Sequence, residues 1–316
     1  MKILVTGATG NVGGHVVRAL SERGVPVRAF VRDGDRAART LGLHSPGPRS
    51  LDPCTLVPHS PGAEVELAVG DFADPGSIAR ALSGVDRLFL ACGNVPGQVE
   101  FECAAIDAAA AAGVERVVKL SGPDAAVDSP MLFERWHGAI EQHLAGAGLT
   151  RVVLRPRTYL TNLLAYARTV AQTGMLFAPA GTAAISFVDP RDVAAVAAEA
   201  LVGGEHEGRT YTLTGAEAVT FERVAHEFAA ATGRPVTFVN VPDEDARTAM
   251  ISDGLPAMVA DAIVAIFAAQ RAGAMAAMTD TVRTILGRAP RTVADFAREH
   301  ADMFRASTRF PESAVH

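Results

Sequence analysis

Three glycines at three-residue spacing, Gly7, Gly10 and Gly13, stand in the run TGATGNVGGHVV, between an apolar burst, KILVT, and a stretch with helical periodicity. Each has a job to do there. The first allows a turn, the second lets backbone approach a pyrophosphate, and the third lets a helix lie close on a strand. Phosphates would then meet free N–H groups at the helix N-terminus. A bare glycine triplet is weak evidence. Placed at the first strand-to-helix junction of an alternating chain, it predicts dinucleotide binding, with Thr9, Asn11 and Val12 counted among the contacts.

The end of the next strand bears on which dinucleotide. VPVRAFV closes on Phe30-Val31-Arg32. An acidic residue there would bond the ribose 2′-hydroxyl of NAD(H). An arginine suits a 2′-phosphate, with charge and a fork of donors. Asp33 follows at once, and a solvated surface arginine is the competing reading. NADP(H) is favoured and NAD(H) stays open.

The elements that must hold these residues alternate. Apolar strands at KILVT, VPVRAFV, VELAV, DRLFLA, ERVVKLS and TRVVLRP are separated by amphipathic helical patterns such as PGSIARALSG and LFERWHGAIEQHLAGAG. Strands apolar on both faces between helices predict a doubly wound parallel α/β sheet, a Rossmann fold. The expected organisation is a dinucleotide-binding domain over 1–156. The rest, 157–316, should hold the remaining sheet elements interleaved with a smaller, mostly helical substrate region. The stretch 41–62 has five prolines and no period. A loop of that length reads as an exposed surface insertion, with a lid over the adenosine end as the alternative.

Composition narrows the partners. The net charge of −6 comes without a basic stripe, which argues against nucleic acid. Lys2 and Lys119 are the only lysines. Cys54, Cys92 and Cys103 form no CxxC pair, as expected of a reducing cytoplasm. The nine histidines show no metal-ligand spacing, so no metal is expected. The first apolar run ends at Val5, too short for a signal-peptide core. The longest, from Leu255, carries Asp261 and is shorter than the roughly 20 residues a membrane span needs. Neither feature predicts a membrane partner, and the oligomeric state stays open.

Taken together, GATGNVG, VRAFVRD, GDFADPGSIARALSGVD, LSG, WHGAIEQHLAGAGLTRVVLRP and SFVDPRDVA resemble the NmrA-like atypical short-chain dehydrogenases over nearly the whole chain. The resemblance implies several roles. Asp71 and Phe72 would cradle the adenine. Ala91, Cys92 and Gly93 would line the middle of the cofactor. Ser121 and Gly122 would close a strand beside it, and Pro156, Thr158 and Tyr159 would lie near the nicotinamide.

Ordinary short-chain dehydrogenases carry Tyr-x-x-x-Lys on the helix after the fifth strand, a spacing that puts both side chains on one face. Here the first tyrosine is Tyr159, past that helix, and neither lysine lies on it. Phe133 takes the tyrosine position and His137 the lysine position. Phe133 cannot donate a proton. His137 can donate to the ribose and can carry charge.

General acid catalysis is worth roughly 10²–10⁴ in rate. Reducing a simple ketone creates a basic alkoxide and needs that help. Hydride addition to a quinone or iminium needs little of it, because the product is stabilised. The expected activity is therefore NADPH-dependent reduction of an aromatic or conjugated small molecule, by proximity and orientation.

His137 is the first candidate for a catalytic role, with Tyr159 and Ser121 as relocated acids. Phe133, Trp136 and Tyr159 are expected to touch substrate, although Trp136 serves equally well as core. Met250, Met258, Met275 and Met278 read as core filler or the floor of an adaptable pocket. Cys92 reads as a small buried residue rather than a redox thiol. A non-catalytic redox sensor and a non-redox cyclase or isomerase are the alternatives.

Overall fold

The computed structural model describes residues 1–43, 54–57 and 64–305. The first half of the chain runs β1 (Ile3–Val5), α1 (Gly13–Glu22), β2 (Val27–Val31), α2 (Gly34–Thr40), β3 (Cys54–Val57), β4 (Val65–Val69), α3 (Pro75–Leu82), β5 (Arg87–Leu90), α4 (Gln98–Ala111), β6 (Arg116–Leu120), α5 (Leu132–Gly146) and β7 (Thr150–Pro156). The second half follows a 3₁₀ turn at Leu160–Tyr166 with α6 (Ala167–Thr173), β8 (Met175–Ala178), β9 (Ile185–Ser186), α7 (Pro190–Val202), β10 (Thr210–Leu213), β11 (Ala218–Val219), α8 (Phe221–Thr232), β12 (Thr237–Asn240), α9 (Asp243–Ser252), α10 (Ala257–Arg271), α11 (Thr281–Leu286) and α12 (Val293–Glu299).

Contacts divide the chain into two compact units. Unit 1 takes Met1–Pro156, Pro190–Leu213 and Asp280–Arg288. Its sheet has the order β10-β7-β6-β5-β1-β2-β4-β3. Seven strands are parallel, and β3 pairs antiparallel at the edge of β4. From β1 the chain winds one way to β2 and β4, then returns to β5 on the other side. That reversal opens a crevice at the carboxyl ends of β1 and β5, where such sheets bind ligands. The strands are buried on both faces because helices cover them: all of β1 and β2 is buried. Leu4, Leu88, Leu90 and Val117 of the sheet pack with Ile78 and Leu82 of α3, Ile106 of α4, and Ile140 and Leu144 of α5. A second group of helices, α1 against α7, packs with α7 on β5, β6 and β7.

Unit 2 takes Arg157–Asp189, Thr214–Thr279 and the residues from Ala289 on. It has two small sheets, parallel β12–β8 and antiparallel β11–β9. Its core gathers Leu160, Leu163, Leu176, Phe187, Phe221, Phe228, Phe296 and Phe304. Two of its helices begin on threonine caps. Thr220 caps α8 by accepting from the Arg223 N–H at 3.3 Å, and Thr292 forms a full capping box with Asp295 on α12.

The stretch 41–62 departs from the reading of it as an exposed insertion outside the core. Leu41 and Leu43 are buried. Residues 54–57, CTLV, form the edge strand β3, in register Cys54↔Ala68 to Val57↔Val65. The physical reason is plain: a strand rich in β-branched and apolar residues satisfies the open edge of β4. VELAV is therefore the fourth strand of the chain rather than the third. Residues 44–53 and 58–63, on which the alternative of a lid rested, lie outside the described residues. Among the described residues no helix is long and apolar enough to cross a membrane.

Candidate functional site

At the switch point in unit 1, Thr6 ties β1 to β5. Its hydroxyl accepts from the Ala91 N–H at 2.8 Å and lies 2.9 Å from the Ala91 carbonyl. The glycine loop starts from this latch. Gly7 has φ +60°, a conformation side chains resist, and a Cβ there would come 3.0 Å from the Ala91 carbonyl oxygen. The Gly10 N–H donates to the Gly7 carbonyl at 2.8 Å. A Cβ on Gly13 would fall 2.2 Å from that same oxygen, so only glycine lets α1 lie this close. Val12 caps α1 without a side-chain bond, and no acid occupies the first turn. The helix end, with Thr9 and Asn11 before it, is suited to an anion.

Arg32 follows β2 directly and is exposed. Asp33 is occupied locally, since its Oδ1 accepts from the Arg36 N–H at 2.9 Å and caps α2. After β4, Asp71 Oδ1 accepts from the Ala73 N–H at 2.9 Å, and the Phe72 ring meets Phe30 edge-on at 5.7 Å. After β5 come Ala91, Cys92 and Gly93. Cys92 is half-buried, and burial, helped by the nearby Glu102 carboxylate, pushes its thiol up to about 11. That direction favours the thiol over the thiolate near neutral pH.

At the end of β6 the side chains form two linked groups. Ser121 donates to Glu141 Oε1 at 2.5 Å, and Glu141 also holds Arg155 at 2.6 Å. Beside them, Lys119 pairs with Glu102 at 2.9 Å, both side chains fully buried, and its ammonium reaches His137 Nδ1 at 3.3 Å. His137 is buried on α5, and burial first, then the Lys119 and Arg155 cations, hold it well below the ordinary imidazole value. The sequence excludes Lys119 as a partner on the same helix. It arrives instead from the strand beneath.

Two glycines make room. A Cβ on Gly122 would come 2.7 Å from the His137 ring, and one on Gly138 would come 2.3 Å from Ala126 backbone. Phe133 and Trp136 are half-buried on α5 and meet edge-on at 5.5 Å.

The residues expected to touch substrate are thus divided. Phe133 and Trp136 belong to unit 1, and Tyr159 to unit 2. Pro156 ends β7 in unit 1, and Thr158 lies near the start of unit 2. Tyr159 bridges to Val188, and burial raises its phenol above the ordinary value. Unit 2 holds a cavity of about 750 Å³ walled by Tyr166, Phe177, Phe187, Phe221, Ile263, Ile266 and Phe267. Thr158, Asn162 and Gln270 give it polar points, and Gln270 Nε2 donates to Thr158 Oγ1 at 3.3 Å. Asp245 and Asp253 are its acidic residues, and among the described residues no lysine, arginine or histidine lines it. Met250 is in its wall and Met275 is buried. Met258 and Met278 are exposed, not core filler, because the sides of the chain they occupy meet no core.

Reading along the chain misses Thr6, Glu102, Glu141, Arg155, Tyr166 and the phenylalanine walls. One signal was present. Lys119 is one of two lysines in the chain and sits inside an apolar strand, where a charge needs a buried partner.

Comparison with known proteins supplies a context for this geometry. The NmrA-like family model matches residues 1–296. An NAD(P)H azoreductase of Xenophilus azovorans is 37% identical over 305 residues, covering 96% of this chain and all of the relative. A (4-alkanoyl-5-oxo-2,5-dihydrofuran-3-yl)methyl phosphate reductase of Streptomyces griseus is also 37% identical, covering 96% of this chain and 99% of the relative. Among solved structures, an NADPH-dependent quinone oxidoreductase of Escherichia coli complexed with NADPH superposes with a TM-score of 0.80 at 28% identity, over 95% of this chain and 99% of the other.

Proposed function

The chain belongs to the NmrA-like family, and from that premise we propose that it passes a hydride from NADPH to a flat, apolar, conjugated acceptor, a quinone or an azo compound. The coarser statement holds without the proposal: this is an NAD(P)H-dependent reductase, similar over nearly its whole length to an NAD(P)H azoreductase and an NADPH-dependent quinone oxidoreductase. The cofactor, when bound, supplies the hydride. The glycine loop and the end of α1 would take its pyrophosphate, Asp71 and Phe72 its adenine, and Arg32 the 2′-phosphate that distinguishes NADPH. His137 would donate to the nicotinamide ribose.

The observation that carries the substrate class is the cavity of unit 2. Its aromatic and aliphatic walls suit a flat ring system, and its few polar groups suit orientation rather than charge neutralisation. Lined by two aspartates and, among the described residues, no basic side chain, it suits a neutral or cationic acceptor and disfavours a phosphate ester.

The proton side agrees. Ser121 has committed its hydrogen to Glu141, burial makes the Tyr159 phenol a weaker acid, and His137 is neutral. With no strong acid among the three, a quinone, which hydride turns into a stabilised phenolate, is favoured over a simple ketone, and an azo compound fits in the quinone-hydrazone form that a ring hydroxyl gives it.

The test is the rate of NADPH oxidation with an uncharged quinone, a neutral hydroxyaryl azo compound, an unactivated ketone and a butenolide phosphate. The first two should be reduced and the last two should be poor. Preference for the phosphate ester would overturn the substrate class.

A further inference from the structure

We propose that Lys119, held by Glu102, is a positioning residue that fixes His137 as the neutral tautomer with its hydrogen on Nε2. The ring then offers the same donor throughout the range around neutrality. The functional meaning rests on the reading of His137 as a cofactor-facing group. The tautomer itself does not.

An ammonium has three N–H bonds and no lone pair. Around Lys119 Nζ stand three acceptors. The Glu102 carboxylate lies at 2.9 Å to Oε2 and 3.2 Å to Oε1, the Leu120 carbonyl is in hydrogen-bond contact, and His137 Nδ1 is at 3.3 Å. Every ammonium hydrogen therefore points outward, and the ring nitrogen facing it must accept. Nδ1 carries the lone pair, which leaves the ring hydrogen to Nε2.

Glu102 is what permits a charged lysine here, since both side chains are fully buried and an unpaired charge at that depth is strongly disfavoured. Gln98 steadies the carboxylate by donating to Oε1 at 3.0 Å. The charges that bear on His137 from neighbouring elements, Lys119 on β6 and Arg155 on β7, are both positive. Glu102 on α4 lies behind Lys119, and Glu141 on α5 itself is engaged by Ser121 and Arg155. An imidazolium would thus face an ammonium at contact distance.

The opposite edge of the ring lies against Gly122, where an added Cβ would come 2.7 Å from Cδ2 and 3.6 Å from Nε2. Any side chain at 122 would press on that edge at the carboxyl end of the strand. A donor of fixed identity suits a ribose hydroxyl or a reduced substrate oxygen, which accept. It does not suit a proton relay, which must exist in two forms.

The experiment is a long-range ¹H–¹⁵N correlation of histidine side chains in the full chain, with His137 assigned through His137→Gln. The parent ring should show protonated Nε2 and bare Nδ1, unchanged from about pH 6 to about pH 8. An Nδ1–H pattern, or an imidazolium appearing above about pH 6, would overturn the proposal. The charge-neutral double variant Glu102→Gln with Lys119→Met should release the lock. Its His137 should show mixed tautomers or titrate nearer the ordinary range, and its kcat/KM should fall on acidification where the parent stays level. Lys119→Arg should restore the parent pattern. A double variant with the parent's ring signature would refute the role of Lys119. Should the double variant fail to fold, the parent series still decides. A parent with the expected ring signature but no reductase activity would count against the function and leave this inference standing.

Discussion

At the scale of single residues, the crevice of unit 1 sorts like-looking side chains by the company they keep. Arg32 and Asp33 are adjacent, yet Asp33 is occupied in capping α2 while Arg32 is exposed at the end of β2. Arg32→Ala should therefore weaken NADPH binding by about 1.5–3 kcal/mol, roughly 10- to 150-fold in Kd, and leave NADH nearly unchanged. Titration of both cofactors against parent and variant checks this, and equal affinities in the parent would refute it.

The buried Lys119 beneath α5 bears on what position 137 can hold. His137→Lys, which restores half of the familiar pair, sets a second ammonium against the buried Lys119. It should cost on the order of 3–5 kcal/mol, visible as a lowered Tm, while His137→Gln is tolerated far better. A lysine variant as stable as the parent would mean that Lys119 turns away.

At the scale of elements, what was legible in the sequence was what is local. The glycine loop and the strand bursts depend on neighbours a few residues apart, so their signals survive in one dimension. β3 was not legible because its reason for existing is the open edge of β4, and four residues among prolines carry no period. Nor was the Lys119–Glu102–His137 group, whose members come from β6, α4 and α5 and meet only when those elements stack. The cavity is harder still: its walls run from Thr158 to Gln270, and its phenylalanines look like ordinary core when read along the chain.

The edge of the proline-rich stretch gives an element-level prediction. Leu43 is 5% exposed beyond the end of α2, so Leu43→Ala should destabilise by about 2–5 kcal/mol in chemical denaturation. A cost below about 0.5 kcal/mol, as for a surface position, would return the segment to the status of a pure insertion.

At the scale of the molecule, unit 1 is discontinuous in sequence. Besides the first 156 residues it needs α7 and β10 from Pro190–Leu213 and α11 from Asp280–Arg288. Inside the unit, fully buried Asp192 on α7 is bonded at 2.7 Å by Arg288, which joins two of those segments. A fragment of residues 1–156 should therefore not fold, since it lacks the edge strand on β7 and the helix on which α1 packs. Circular dichroism and solubility of the fragment test this, and a soluble, cooperatively melting fragment would overturn it.

The same discontinuity sets a timetable for synthesis. A ribosome extends the chain by roughly 5–20 residues per second. The flank of β7 waits for β10, and the bond to Asp192 waits for the segment ending at Arg288. Between the synthesis of β7 and that of β10 the nascent chain carries a nearly finished parallel sheet with one raw edge. Folding from the N-terminus outward can start but cannot finish until the segment ending at Arg288 is made, and chaperone dependence in the cell should follow the exposure of β7.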